Sequence, residues 1–178
     1  MRGFNSFIWD KRITVQELEP PTSLSPYAAA WDAELCVDSV EMSRGRLILL
    51  HEPTGNDLWE SDFRCVTFAR AEMSPEMIHD PLLAEVGWSW LVDALRQAHA
   101  RFTRESGTIT TISSVPFGSK KDEEQIFEME VRASWTPILD GENHLAPHLD
   151  GWQNLLRHLG GTPDPESVVG LKPAVSPV

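Results

Sequence analysis

The stretch Phe127-Glu128-Met129-Glu130-Val131-Arg132-Ala133-Ser134-Trp135 decides the fold class. Apolar and polar residues alternate at each step, and the side-chain period of a strand is two. Phe127, Met129, Val131, Ala133 and Trp135 therefore share one face, and Glu128, Glu130, Arg132 and Ser134 share the other. One dry and one wet face is the pattern of an antiparallel sheet covered on a single side. Parallel-sheet strands, buried on both faces, read instead as unbroken apolar runs.

Outward from this strand, the Thr/Ile/Ser-rich run Thr108 to Val115 predicts a partner strand. The connection between them, 116–124, holds Gly118, two lysines and three acids, and is expected to be exposed. Further upstream, Arg46 to His51 and Phe63 to Met73 predict two more strands. The turn formers Glu52-Pro53-Thr54-Gly55-Asn56-Asp57 between them predict a hairpin with a long loop.

Three helices are predicted around these strands. Ser25 as N-cap, Pro26 in the first turn, and Tyr27, Trp31 and Leu35 at fourfold spacing predict a helix running to about Cys36. Asp80, Pro81 and Glu85 mark the start of a second, in which Trp88, Leu91, Leu95, Ala98 and Phe102 share a face. Arg96, His99, Arg101 and Arg104 fall in its last turns, and Gly107 is placed to end it. Gly87 inside it costs about 1 kcal/mol relative to Ala and suggests close approach of another backbone. Leu149, Trp152, Leu155, Leu156 and Leu159 predict a last helix, stopped at Gly160-Gly161.

The expected fold is therefore α+β: an antiparallel sheet of four strands, or slightly more, with helices packed on one face. Pro20-Pro21 sets off an N-terminal arm over 1–21, a single domain spans 22–161, and 162–178 is a Pro-rich tail.

Composition removes whole classes of function. In 178 residues, 15 Lys+Arg against 27 Asp+Glu give a net charge of −12. That excess repels phosphate backbones and anionic lipid, which disfavours nucleic acid and membrane as partners. Two cysteines, Cys36 and Cys65, cannot build a four-Cys zinc site and read as small reduced core residues. The apolar start Phe7-Ile8-Trp9 is broken by Asp10-Lys11-Arg12, and no apolar run approaches the roughly 20 residues of a spanning helix. A cytoplasmic setting is expected.

Several runs carry a resemblance. They are Leu24-Ser25-Pro26-Tyr27-Ala28, Arg46-Leu47-Ile48-Leu49-Leu50, Phe63-Arg64-Cys65-Val66-Thr67, Arg70-Ala71-Glu72, Val131-Arg132-Ala133-Ser134-Trp135-Thr136-Pro137 and His148-Leu149-Asp150-Gly151-Trp152. The most specific is Asp80-Pro81-Leu82-Leu83-Ala84-Glu85-Val86-Gly87-Trp88-Ser89-Trp90-Leu91. Together they resemble DUF3000, an actinobacterial family of unknown function, over roughly residues 13–160. The first dozen residues and the tail depart from it. The resemblance implies a high-GC Gram-positive source and a cytoplasmic protein. It carries no reaction and no functional residue.

Candidate chemistry is sparse. His144, His148 and Asp150 form the most metal-like cluster, but Pro147 places the histidines across a loop-to-helix boundary, and a solvated loop histidine plus a capping group is favoured. Asp80, beside His79, has work as a helix cap. A Ser-His-acid set drawn through His51 and Ser113 or Ser114 lacks a nucleophile elbow, and no phosphate-binding glycine motif occurs. No cofactor is expected.

Seven tryptophans are the anomaly. Trp88 and Trp90 point about 200° apart on a helix, so they cannot face one neighbour. Trp59, in a loop, suits a binding anchor. Glu128, Glu130 and Arg132 share a face, and Arg64, Arg70 and Glu72 have the matching spacing for cross-strand pairs. The expected function is a non-enzymatic protein-interaction module using Trp59, Trp88 or Trp90, Arg64, Arg70, Glu72 and Arg132. Its partner would be another protein, with self-association left open. The alternative is a small-ligand-binding protein or hydrolase, its pocket lying between sheet and central helix, with His51, Arg70 and Glu72 converging in it.

Overall fold

The computed structural model describes residues 7–21, 23–139 and 145–162. Six strands form one sheet: β1 (Ile13–Leu18), β2 (Tyr27–Val37), β3 (Val40–Asn56), β4 (Ser61–Glu72), β5 (Phe102–Ser114) and β6 (Ile126–Pro137). Every neighbouring pair is antiparallel, in the order β1-β2-β3-β4-β6-β5. Three α-helices among the described residues complete an α+β fold: α1 (Pro75–Ile78), α2 (Leu83–Gln97) and α3 (Ala146–Leu159).

The alternation in β6 sets the two faces. Phe127, Met129, Val131, Ala133 and Trp135 are buried, Glu128 and Glu130 half-buried, and Arg132 exposed. Cys65, Ala69 and Ala71 of β4 lie opposite Trp135, Val131 and Met129, so the buried sets line up from strand to strand. Polar groups entering this core are matched. Trp152 Nε1 of α3 donates to Thr67 Oγ1 at 2.9 Å, and Trp135 Nε1 donates to His148 Nδ1 at 3.1 Å. Leaving either acceptor unpaired in the core would cost about 1–3 kcal/mol.

The predicted helix over 25–36 is a strand. Tyr27, Ala29, Trp31, Ala33 and Leu35 lie on one side of β2, and all but Tyr27 are buried. A spacing of four is also a multiple of two, so the tryptophan and leucine that suggest a helix stripe equally fit a strand face. The segment set apart as an N-terminal arm contains β1, which pairs with β2 from Ile13↔Leu35 to Leu18↔Ala30. These two strands enlarge the sheet beyond four.

The second helix is shorter than predicted. It ends at Gln97 with Ala98 as its C-cap, and His99 after it takes a φ of 57°. His99 N–H donates to the Arg96 carbonyl and Ala100 N–H to the Leu95 carbonyl, the bond pair of a Schellman cap. Phe102, Arg101 and Arg104 therefore lie outside it, and Gly107 is in mid-β5 rather than at a helix end. A Cβ on Gly107 would sit 2.3 Å from the Arg132 carbonyl oxygen and 2.8 Å from the Trp88 ring. Only a bare Cα lets Trp88 of α2 rest there. Gly87 meets the Met129 thioether rather than a backbone; the close backbone approach occurs at Gly151, whose Cβ would lie 2.9 Å from Leu95 Cα.

At the helix start Asp80 acts ahead of the capping position. Its carboxylate accepts from Leu82 N–H at 2.9 Å and its carbonyl from Leu83 N–H. The β3–β4 loop is tighter than predicted: β3 runs on to Asn56, and the turn is confined to 57–60. The last helix, α3, ends at Leu159, and Gly161 takes a φ of 65°.

Candidate functional site

The wet face of β6 continues across the sheet as two charged rungs. In the first, Asp32, Arg46, Phe68 and Arg132 are successive cross-strand neighbours on β2, β3, β4 and β6. In the second, Glu34, Arg44, Arg70 and Glu130 follow the same path. Arg44 pairs with Asp32 at 3.5 Å and also with Glu34 and Glu41, and Arg46 reaches Asp32 at 3.5 Å. Arg70 lies 3.7 Å from Glu128, and Arg132 lies 3.1 Å from Glu130. The Arg132 guanidinium also sits 5.5 Å from the centre of the Phe68 ring, within cation–π range.

Exposure separates these arginines by role. The side chains of Arg132, Arg46 and Arg70 are 64%, 53% and 42% exposed, so their pairs contribute little to stability and their heads can meet a partner. Glu72, opposite Glu128, is exposed as well. Arg64 lies on the same face but is 8% exposed. It donates to Thr136 Oγ1 at 2.9 Å, Ser134 Oγ at 2.7 Å and Ser106 Oγ at 3.3 Å. Burial pulls its guanidinium below the usual arginine range; neighbouring Cys65 works against this and Arg104 with it. Arg64 thus braces β4, β6 and β5 through hydroxyls, whereas Arg70, Glu72 and Arg132 face water.

The tryptophans do not gather on this face. Trp88 rests on Gly107, whose cross-strand partner Ala133 belongs to the buried set, and Trp90 lies 6.3 Å from the His158 ring on α3. Both are half-buried. Trp59 is half-buried too, and its carbonyl accepts from Thr136 Oγ1 at 2.8 Å, next to the Arg64 network.

The residues of the alternative reading do not converge. His51 pairs with Phe63, on the strand face of Cys65, while Arg70 and Glu72 occupy the opposite face. Where α2 meets the sheet, Gly87 lies against the Met129 side chain, which is fully buried. A groove of about 520 Å³ lies elsewhere, beside the start of β2 and the cross-strand pair His51–Phe63, lined by Pro20, Pro21, Pro26, Tyr27, His51 and Phe63. The His51 ring stacks on Phe63 at 4.4 Å, and Ser25 Oγ donates to the His51 carbonyl.

The metal-like cluster is taken up by structural bonds. His148 Nδ1 receives the Trp135 indole, and Asp150 Oδ1 receives Gln153 Nε2 at 2.7 Å. His144 lies outside the described residues, among which no group of three His, Cys, Asp or Glu is placed to hold a metal. Ser113 Oγ accepts from Gln125 Nε2, and His79 Nδ1 contacts the Pro75 carbonyl at 2.6 Å. The cations Arg96 and Arg104, read together on one helix, are divided between α2 and β5 and pair with Asp93 and Glu60. Cys65 is fully buried, and that burial pushes its thiol pKa far up. No described helix is long and apolar enough to cross a membrane.

A second feature lies off this face. Trp9 packs edge-on against Trp152 at 5.8 Å, and the Asp10 N–H donates to Gln153 Oε1 at 3.1 Å. The Asp10 carboxylate meets Arg12 at 2.6 Å and Arg157 of α3 at 3.6 Å. Chiefly the hydrogen bond from Arg12 holds its pKa at about 2, against an opposing push from burial. Sequence reasoning missed this clasp, because Asp10 is tied to α3 through Gln153, 143 positions away, and through Arg157 beyond it.

Comparison with known proteins gives a family and no further relative. The family model described as "Protein of unknown function (DUF3000)" matches residues 1–169, and so takes in the first dozen residues that the resemblance left out. No curated protein and no solved structure matches.

Proposed function

We propose that this chain, which belongs to the DUF3000 family, is a non-enzymatic protein-interaction module that docks through the charged face of its sheet. In this reading α2 and α3 together cover the opposite face. The contacts Gly87–Met129, Trp152–Thr67 and Trp135–His148 support that arrangement.

The observation that carries the reading is the rung Arg46–Phe68–Arg132. Two exposed arginines flank a half-buried aromatic ring on adjacent strands. Arginine and aromatic residues are the types enriched at protein interfaces, and a flat antiparallel face presents them without reorganisation. Arg70 and Glu72 extend the surface along β4, and Trp59 borders it beside Thr136. Arg64 supports it from below. A partner carrying carboxylates fits the arginines; one carrying lysines fits Glu72 and Glu128. A cytoplasmic location, with both cysteines reduced, accords with the buried Cys65 thiol.

The test is affinity capture from a lysate of the source organism, with the protein and its Arg46→Glu/Arg132→Glu variant as baits. One stoichiometric partner held by the parent and lost by the variant, at equal thermal stability, is the expected result. Recovery of none across several salt concentrations contradicts the reading.

One observation favours the alternative of a small-ligand-binding protein. The aromatic and proline-lined groove at Tyr27, His51 and Phe63 has a volume within the range of ligand sites. Resonance shifts at the His51 ring on addition of planar aromatic fragments, absent in Phe63→Ala, would support it.

A further inference from the structure

A sheet edge presents a row of unpaired backbone N–H and C=O groups, and such an edge recruits another strand unless something blocks it. β5 is an edge strand, paired with β6 alone. From Ser106 to Ser114 it reads Ser-Gly-Thr-Ile-Thr-Thr-Ile-Ser-Ser, without a charge or a proline. All but Ile109 and Ile112 of these residues are exposed, and those two are half-buried. At its start the register shifts between Thr103 and Ser106, with Arg104 at a φ of 54° and ion-paired to Glu60. At its far end Pro116 follows. The devices that blunt an edge thus stand at both limits of the run and not within it.

We infer that this run of β5 pairs antiparallel with the same run of a second copy of the chain, joining two six-stranded sheets into one continuous sheet. The inference is separate from the open-face docking reading and stands or falls apart from it.

What admits a second copy is that the run can oppose itself without setting like charges against each other. An isologous antiparallel pair needs a two-fold axis perpendicular to the sheet. Residues of the same face must oppose each other, so the axis passes midway between the two copies of one residue. Placed at Thr110, it keeps the whole run in register. Thr110 then meets its own copy, Thr108 meets Ile112, and Ser106 meets Ser114 on the charged face. Ile109 meets Thr111 and Gly107 meets Ser113 on the other. No charge opposes a like charge, and Thr–Thr and Thr–β-branched pairs are favourable cross-strand neighbours. Both strands are already extended, held by β6, so little ordering entropy opposes association. A strand pair of this length falls below the roughly 800 Å² per partner of a standard interface, so the dimer is expected to be weak.

The test is sedimentation equilibrium of the full chain from micromolar to millimolar concentration, with oxidative cross-linking of two variants. Thr110→Cys brings two thiols together across the axis; Thr14→Cys places one on β1 and carries the same native cysteines as control. The expected result is a monomer–dimer equilibrium, a covalent dimer from Thr110→Cys and none from Thr14→Cys. Thr110→Lys, an exposed change that leaves the monomer folded, is expected to weaken the dimer roughly fivefold. A monomer at every concentration, or a monomer holding a foreign strand on β5, overturns the inference. So does a dimer that Thr110→Cys fails to lock.

Discussion

At one edge of the sheet β1 runs for six residues, carries Gln16 and Glu17, and gives way to Glu19-Pro20-Pro21. At the other, β5 runs for thirteen, nine of them from Ser106 to Ser114 free of charge and proline. The two edges are also anchored differently. β1 is preceded by a polar clasp, in which Asp10 ties Arg12 of the strand's approach to Gln153 and Arg157 of α3. β5 is seated by shape, with Trp88 of α2 resting where Gly107 has no side chain. The difference teaches that this sheet defends its first edge against pairing and leaves its last one available. It also divides the sources of stability: the first edge depends on ionisation and the last on volume.

The largest expected effect breaks the second half of that comparison. Gly107→Ala forces a methyl into the space of the Arg132 carbonyl and the Trp88 ring. A loss of about 1–3 kcal/mol in urea unfolding is expected, the usual cost of overpacking. Unchanged stability would show that α2 is not seated through Gly107.

Asp10→Asn tests the first half. With its pKa held at about 2 against an ordinary 3.8, the Asp10 carboxylate stabilises the fold above the ordinary value. That contribution, about 2 kcal/mol at most, fades as pH falls from 4 toward 2. The variant is expected to lose it at neutral pH and to converge with the parent at low pH. Parallel melting curves for the two proteins across that range would remove the clasp from the account.

The smallest expected effects sharpen the contrast most. Thr14→Lys and Thr110→Lys each add one charge to an exposed strand residue, and each is expected to move monomer stability by under about 0.5 kcal/mol in urea melts. Only the second should weaken self-association, measured by sedimentation.

Much of this architecture was legible in the amino-acid sequence, because period-two alternation survives wherever one face is buried. β6 announced itself in this way, β4 by its β-branched and aromatic residues and the centre of β3 by a short apolar run; spacing put Arg64, Arg70 and Glu72 on one face of β4, and the register of β4 against β6 is what joins Arg132 to them. β2 could not be read so, since Tyr27, Trp31 and Leu35 satisfy both periods and four alanines lend helix propensity to what lies between. Misreading β2 hid Asp32 and Glu34, and with them the β2 end of the charged rungs, where they face Arg46 and Arg44. The end of α2 was lost for a different reason. Its cap is His99 in a left-handed conformation, where the expected signal is glycine, while the glycine that looked like a cap serves the packing of Trp88. Arg64 was assigned to the right face, but its burial among hydroxyls depends on β5 lying beside β6, which no local pattern contains.

The most direct measurement is amide hydrogen exchange of the full chain at low and at high protein concentration, read peptide by peptide. Unlike edges predict added protection over 106–114 as concentration rises, with 13–18 unchanged. Equal behaviour of the two segments, or protection gained at β1 instead, would contradict the account.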